Sequence, residues 1–339
     1  MSINYSKIEL PPSIRLDCYR CALYPILNYY NCDADLLFIL INSMLRYDKN
    51  LICKEDNIIV LNDLFLDFSL ETNWFTLSEL NDIIPSIKRM IDNEGMVICF
   101  LDVFYYSHFH SVYKNTHTDH AVPIYGYDDQ KKIFYTIDTD YLESFERTYT
   151  EISYEDIINC MVGYSQLTNR PVVQFLKRKK EKLNIEPTLI RKKYINLYQE
   201  RMRNSYFEYK NYINELALLC EYILQFSSFE KEMLNFSRQS YKHIDSFINN
   251  RMLEYYGIKY LFYNIENLQK NDMEIVEKCN FIRAIMYRTQ YTGEYRKTSF
   301  EKFHYFFDSI LNMEKERLEF INNFNWNDNI ILLNHNKFF

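Results

Sequence analysis

The sequence predicts an α+β domain followed by an all-helical domain. Strand-like and helix-like segments are mixed in the first half without regular alternation, which favours α+β over a doubly wound parallel sheet. From about residue 183 to residue 324, apolar residues recur at helical spacing and no convincing strand interrupts them. Because 339 residues exceed the usual size of one domain, we expect two domains, over residues 1–170 and 171–339.

Charge and apolar patterning limit the classes of partner. The net charge is −7, whereas a protein that binds nucleic acid needs a basic face. No apolar run approaches the roughly 18 residues of a membrane span, and the first residues lack the apolar core of a signal peptide. We therefore expect a cytoplasmic protein with no nucleic-acid or membrane partner, whose eight cysteines stay reduced.

The first elements are predicted from apolar spacing. Residues 18–30 form a helix with Asp17 as its N-cap, and Pro25 inside this helix predicts a kink. A second helix is predicted over residues 33–47. Residues 51–68 have the pattern of short strands and turns.

The next helix has clear boundary signals. Thr76 and Glu79 form a capping box at its start, Pro85 predicts a bend, and Gly95 stands where a helix-ending glycine belongs. Residues 96–101 are an apolar run of strand length. An aromatic, histidine-bearing loop follows over residues 102–118.

The stretch from residue 116 to residue 141 predicts a β-hairpin centred on Asp129. This pairing places His120 opposite Asp138, and opposite residues in an antiparallel pair have Cβ atoms about 5 Å apart on the same face. A carboxylate at that distance can orient an imidazole. A helix over residues 151–161 completes the first domain.

Cys18, His120 and Asp138 form a candidate catalytic triad. A cysteine nucleophile needs a base within hydrogen-bond reach and a third group that orients the base. A thiol in the first turn of a helix also feels the positive end of the helix dipole. The order Cys, His, Asp along the chain is typical of a papain-like fold. Asp140 is the rival for the third role, and three unrelated residues are the alternative interpretation.

Two other groups of residues could carry chemistry other than that of a catalytic triad. Cys18 and Cys21 form a C-x-x-C pair, which is typical of a redox dithiol or half of a zinc site; no second such pair follows, and Cys21 is more simply a buried packing residue. The second group could hold a metal ion, although loop histidines are commonly solvent-facing. Its members are His108, His110, His117, Asp119 and His120.

A basic run covers residues 176–182 at the expected domain junction, and residues 191–193 add to it. It is either a solvated linker or a surface that docks an acidic protein partner by electrostatic steering.

Three segments of the chain resemble a known protein family. Three segments carry the likeness: Asp-Cys-Tyr-Arg-Cys-Ala-Leu-Tyr-Pro-Ile-Leu-Asn-Tyr-Tyr from Asp17, Asp-His-Ala-Val-Pro-Ile-Tyr-Gly-Tyr-Asp-Asp from Asp119, and Tyr-Thr-Ile-Asp ending at Asp138. They resemble the butirosin biosynthesis protein H family of papain-like (C39-peptidase-like) acyltransferases, which carry a helical C-terminal portion. The resemblance implies that Cys18 is the nucleophile, His120 the base and Asp138 the orienting acid.

The resemblance also implies a reaction. The family takes an acyl group from a carrier-protein thioester and passes it to an amine, with no metal and no cofactor beyond the phosphopantetheine of the carrier. The chain also resembles the amide-forming branch of closthioamide assembly, which implies a diamine as the acceptor. The sequence offers four carboxylates near the triad for binding a second cationic group, namely Asp119, Asp128, Asp140 and Glu143.

One position departs from the papain-like pattern. Proteases of this fold commonly place a Gln six residues before the cysteine, as an oxyanion-hole donor, and here that residue is Pro12. A thioester carbonyl needs less oxyanion stabilisation than an amide, so the departure weakens a peptidase function more than acyl transfer. The alternatives are a cysteine peptidase or thioesterase, with water as acceptor, and a non-catalytic scaffold that binds carrier proteins.

Overall fold

A computed structural model describes residues 18–324, with gaps at 40, 49–50, 59–60, 111, 140–146, 180–185, 205, 228 and 263–264. The described chain divides into two compact units. The first contains residues 18–37 and 61–190, and the second contains residues 38–58 and 191–324. This division differs from the expected boundary after residue 170, because residues 173–178 form a strand within the sheet of the first unit.

The described strands form two antiparallel sheets. Their bounds are β1 Ile41–Asp48, β2 Leu51–Ile58, β3 Leu70–Phe75, β4 Val97–Asp102, β5 Asp119–Asp128, β6 Ile133–Thr139, β7 Arg147–Ser153 and β8 Val173–Arg178. β1 and β2 form a hairpin in the second unit. The six others form one sheet in the first unit, in the order β3-β8-β4-β5-β6-β7.

The described α-helices are shared between the units. Their bounds are α1 Cys18–Tyr29, α2 Leu61–Asp67, α3 Ile83–Glu94, α4 Tyr154–Thr168, α5 Pro187–Asn204, α6 Tyr206–Phe226, α7 Glu230–Leu261, α8 Glu266–Thr292 and α9 Lys297–Asn323. α1 to α4 and the first turn of α5 belong to the first unit, and the rest of α5 with α6 to α9 forms most of the second. Strands and helices do not alternate regularly, so the predicted α+β class is confirmed.

The predicted helix over residues 33–47 is wrong. A short 3-10 helix, Ala34–Ile39, is followed by β1, whose eight residues all pair with β2. Periodicity does not separate a short apolar run in a helix from one in a strand, and here packing decides, because the hairpin lies against α6 and α7. Among the described residues of the second unit, this hairpin interrupts an otherwise mainly helical architecture.

The predicted helix around Pro85 is split in two. The Glu79 carboxylate accepts the backbone N–H of Thr76 at 2.7 Å and caps a short 3-10 helix, Leu77–Glu79. α3 then begins at Ile83, so Pro85 lies in its first turn, where a missing N–H costs no helical hydrogen bond. Gly95 ends α3 as predicted, with φ of 85° and its N–H bonded to the Ile91 carbonyl.

The second unit contains a buried charged cluster. The Glu314 carboxylate accepts hydrogen bonds from Arg251 at 2.8 Å and from Tyr212 at 3.0 Å. Nearby in sequence on α9, Arg317 donates to Asp272 at 2.8 Å. The side chains of Arg251, Glu314, Arg317 and Asp272 are fully buried, and a buried charge is tolerated only when it is paired. These ion pairs therefore favour one packing arrangement of α7, α8 and α9.

Candidate functional site

The structure brings Cys18, His120 and Asp138 together in the first unit. His120 lies near the start of β5, and its Nε2 is 2.9 Å and 3.1 Å from the two carboxylate oxygens of Asp138 on β6. Both residues are buried. Cys18 is the first residue of α1, is partly exposed, and lies close enough to His120 to raise the pKa of the imidazole. The thiol, the imidazole and the carboxylate are therefore neighbours in this order.

The strand register behind this contact differs from the prediction. The hairpin is not centred on Asp129, because Tyr127 pairs with Phe134 and a β-bulge follows between Ile124 and Gly126. Ile124 pairs with Thr136, and this register, continued along the strands, sets Asp138 two residues from the position opposite His120. An offset of two residues keeps both side chains on one face and within diagonal reach.

The β-bulge allows the side chains of His120 and Asp138 to meet. Without it, the register at Tyr127 and Phe134 would offset His120 and Asp138 by an odd number of residues. Side chains alternate between faces along a strand, so the two residues would then lie on opposite faces of the sheet. One extra residue in β5 restores the common face.

The hydrogen bonds define the tautomer of His120. A carboxylate only accepts, so Nε2 carries the proton that it shares with Asp138, and Nδ1 is the nitrogen left for the thiol. The Asp138 carboxylate also accepts the backbone N–H of Thr139 at 2.8 Å. Burial by itself lowers the pKa of His120, but the Asp138 charge and the contact with Cys18 outweigh burial and raise this pKa to about 10. The charged imidazolium form of His120 is therefore favoured at this position.

The loop after β4 covers the histidine and aspartate pair. The Phe109 ring meets the His120 ring edge-on, with centroids 5.3 Å apart. Tyr106 is fully buried next to Asp138, and burial followed by the Asp138 charge raises the pKa of its hydroxyl. His108 Nε2 is 2.7 Å from the Thr139 carbonyl oxygen and holds the loop against β6. This packing keeps water from the pair, which strengthens its electrostatic interaction.

The loop histidines have separate partners. His117 Nδ1 is 2.7 Å from the buried Asp102 carboxylate, and the His117 ring stacks on Phe104 at 4.1 Å. His108 bonds to a backbone carbonyl and His120 to Asp138. Among the residues that the structure describes, no group of three or more His, Cys, Asp or Glu side chains is arranged to hold a metal ion.

Other sequence-predicted residues have structural roles. Cys21 is buried in α1, as predicted for a packing residue. The basic run is not simply a linker, because its first residues belong to β8, where Arg178 donates to the Tyr30 carbonyl and lies over the Tyr30 ring. Arg191 is buried. Asp17 and Pro12, and the basic residues from 180 to 182, lie outside the described part of the chain.

A cavity of about 480 Å³ opens beside the thiol. All of its lining residues belong to the first unit: Cys18, Tyr19, Trp74, Phe100, Asp119, His120, Ala121, Tyr164, Arg170 and Pro171. Of these ten residues, Cys18, Asp119 and His120 are predicted from the sequence as site residues, and the other seven are not. The high aromatic content of the sequence, 17% of its residues, is consistent with an aromatic-lined cavity. Composition does not identify which aromatic residues line it.

The four carboxylates proposed near the triad differ in their placement. Asp119 is exposed and lines the cavity. Asp128 lies at the far end of β5, where its carboxylate accepts the backbone N–H groups of Gln130 and Lys131 and closes the hairpin turn. Asp140, which was also the rival of Asp138, and Glu143 lie outside the described residues. Asp119 is therefore the carboxylate placed to meet a ligand.

No protein-family model matches this sequence, and a search of curated proteins gives no match. None of the helices in the described part of the chain is long and apolar enough to cross a membrane.

The raised pKa of His120 predicts a pH dependence of stability. The folded-state pKa of about 10 exceeds the ordinary value of 6.5, so the folded protein holds a proton that the unfolded chain releases. The stabilisation is complete below pH 6.5 and is lost as the pH rises through about 10. We expect wild-type stability to fall relative to His120→Gln over this interval, measured as the urea midpoint at each pH. His117→Gln serves as the control, and parallel curves for wild type and His120→Gln would contradict the prediction.

Proposed function

We propose that this protein is a cysteine-dependent acyltransferase that forms amides. It takes an acyl group from a carrier-protein thioester onto Cys18 and transfers it to an amine. The observation that carries the proposal is the partly exposed Cys18 next to the buried His120–Asp138 pair, beside an apolar cavity. We also propose that the first unit has a papain-like fold, which is supported by a cysteine at a helix N-terminus and a histidine and aspartate on adjacent antiparallel strands.

The first step exchanges one thioester for another. His120 Nδ1 takes the Cys18 proton, and the thiolate sulfur attacks the carbonyl carbon of the donor. A new C–S bond forms on Cys18, the C–S bond to the phosphopantetheine of the carrier breaks, and the leaving thiolate takes the proton from His120. The exchange is nearly isoenergetic, so it needs no cofactor held by the protein itself.

The second step forms the amide. The amine nitrogen attacks the carbonyl carbon of acyl-Cys18, a C–N bond forms, and the C–S bond breaks. His120 takes the proton that the nitrogen loses and returns it to the Cys18 sulfur. Asp138 stabilises the imidazolium in both steps, and the loop over His120 limits the access of water, which is the competing nucleophile.

Two other functions use the same geometry. In a peptidase or thioesterase, water replaces the amine in the second step. In a carrier-binding scaffold, neither step occurs. Acyl transfer is favoured by the motif resemblance and by Pro12, which stands where proteases of this fold commonly carry an oxyanion-hole Gln. The proposed partners are an acyl or peptidyl carrier protein and a small amine or diamine.

Acylation of Cys18 is the first test. The protein is mixed with an acylated carrier protein, and intact-mass and peptide mass analysis locate the acyl group. The proposal predicts one added acyl mass on the peptide that contains Cys18. An unmodified protein after exposure to several acylated carriers would leave the scaffold alternative standing.

The position of Asp119 predicts that the protein prefers diamines to monoamines as acyl acceptors. Asp119 is exposed and lines the cavity next to His120, so we expect its carboxylate to pair with the second, cationic nitrogen of a bound diamine. An exposed ion pair contributes up to about 1 kcal/mol, which corresponds to roughly a fivefold preference for 1,3-diaminopropane over propylamine. We expect Asp119→Asn to remove this preference in the aminolysis rate of acyl-Cys18. Asp128→Asn, whose carboxylate closes the hairpin turn, should keep it, and equal ratios in all three proteins would contradict the assignment.

A further inference from the structure

One side of the cavity is a continuous surface of aromatic rings. We name this the aromatic wall, and it consists of Tyr19, Trp74, Phe100 and Tyr164. Phe100 is at its centre, with its ring centroid 5.8 Å from Tyr19, 5.7 Å from Trp74 and 5.7 Å from Tyr164. These separations are within the range of roughly 4.5 to 7 Å at which aromatic rings interact favourably.

Four different elements contribute to the aromatic wall. Tyr19 lies on α1, Trp74 on β3, Phe100 on β4 and Tyr164 on α4. The sheet sets Trp74 and Phe100 on one face, because Gln174 on β8 pairs with Trp74 on one side and with Ile98, two residues before Phe100, on the other. The wall therefore depends on the tertiary fold of the first unit and not on one local run of aromatic residues.

Part of the aromatic wall is open to solvent. Trp74 is 44% exposed, and Tyr19 and Phe100 are partly exposed. A large apolar ring at the edge of a cavity gains stability when a ligand covers it. A ring used for core packing, such as Phe307, is buried instead. The exposure of Trp74 beside the reactive thiol thus points to a ligand that covers it.

We propose that the aromatic wall is the acyl-group subsite and that the acyl group is flat and apolar, for example an aryl group. This inference rests on the proposed acyl transfer and adds a substrate class to it. Cys18 and Tyr19 line the same cavity, so an acyl group on the sulfur lies next to the aromatic wall. A flat group stacks on an exposed aromatic ring such as Trp74, whereas a bulky saturated ring of the same size does not. The cavity volume of about 480 Å³ is in the range of roughly 300 to 1,000 Å³ for small-molecule sites.

Matched thioesters test this selectivity. The rate of Cys18 acylation is measured by intact mass with N-acetylcysteamine thioesters of phenylacetate, cyclohexylacetate and acetate. Phenylacetyl and cyclohexylacetyl groups have similar size and reactivity and differ in flatness. We expect the phenylacetyl thioester to react at least about tenfold faster than the other two, which is about 1.4 kcal/mol of discrimination.

Variants of Trp74 test the role of the wall. Trp74→Leu keeps apolar bulk and loses the flat ring, and we expect it to lower the phenylacetyl to cyclohexylacetyl rate ratio at least fivefold, as should Trp74→Ala. The ratio is taken within one protein, so a partly folded sample does not change it. Tyr149→Ala is the matched control, since Tyr149 is 45% exposed and does not line the cavity. Its ratio should equal that of wild type.

A binding measurement separates the two proposals. Trp74 is one of two tryptophans, so in Cys18→Ala with Trp326→Phe the fluorescence reports on Trp74 alone. We expect phenylacetamide to quench this fluorescence at lower concentration than cyclohexylacetamide. If no thioester acylates wild type but this binding preference holds, acyl transfer is wrong and the aromatic subsite stands. If acylation proceeds at equal rates with all thioesters and the two amides bind equally, the aromatic subsite is wrong and acyl transfer stands.

Discussion

Replacing Cys18 with alanine is expected to reduce acyl transfer at least about 10⁴-fold, because the covalent intermediate can no longer form. The fold should persist, since Cys18 is partly exposed and its sulfur contributes little packing. Transfer is measured as amide product from a carrier thioester and an amine. Circular dichroism and the urea unfolding midpoint verify the fold.

Cys21 provides the matched control for this prediction. Cys21 lies one turn further along α1 and is buried, so Cys21→Ala removes a sulfur from the core and costs a modest amount of stability. It should retain most of the transfer activity. Equal loss of activity in the two variants would favour a dithiol or a metal site and contradict the role proposed for Cys18.

Asp138→Asn is expected to lower transfer about 10³-fold to 10⁴-fold at neutral pH. The Thr139 N–H bonds to one carboxylate oxygen of Asp138 at 2.8 Å, and it will hold the asparagine oxygen at that position. The amide nitrogen then faces Nε2 of His120, where the other carboxylate oxygen lies at 2.9 Å. An N–H group there donates to Nε2 and moves the ring proton to Nδ1, so the nitrogen that faces the thiol is no longer a base.

The tautomer itself is the decisive readout for Asp138. Nitrogen-15 NMR of labelled histidine, recorded above pH 10 where the wild-type ring carries one proton, should show this proton on Nε2 in wild type and on Nδ1 in Asp138→Asn. A variant that merely loosens the fold would not move this proton. Comparable activity in Asp138→Asn and wild type, with the proton still on Nε2, would remove Asp138 from the mechanism.

The sequence predicted which three residues meet, but not the register that brings them together. The predicted hairpin centre gave His120 and Asp138 a common face, and the structure reaches the same face through a later turn and a bulge between Ile124 and Gly126. A bulge has no sequence signal comparable to that of a tight turn, since it depends on twist and packing of neighbouring strands. The prediction that His120 and Asp138 contact each other was therefore correct, and the predicted strand register was wrong.

The errors in the fold have a related cause. β1 has apolar residues that suit a helix as well as a strand, and only its pairing with β2 and its packing on α6 and α7 decide between them. Trp74 and Phe100 have ordinary positions for aromatic residues in strands. Their meeting with Tyr19 and Tyr164 depends on the order of strands in the sheet, which local patterns do not contain.

The fate of acyl-Cys18 tests the proposed amide synthesis most directly. The acyl-enzyme is formed with a carrier thioester, freed of donor, and followed by intact mass over time, with and without a small diamine. An amide-forming enzyme holds its acyl group against water and releases it to an amine that its pocket places over the carbonyl carbon. We predict slow loss in buffer, rapid loss with the diamine, and the amide as product. Rapid loss to the free acid in buffer, at a rate that no amine changes, would contradict amide synthesis and establish water as the acceptor.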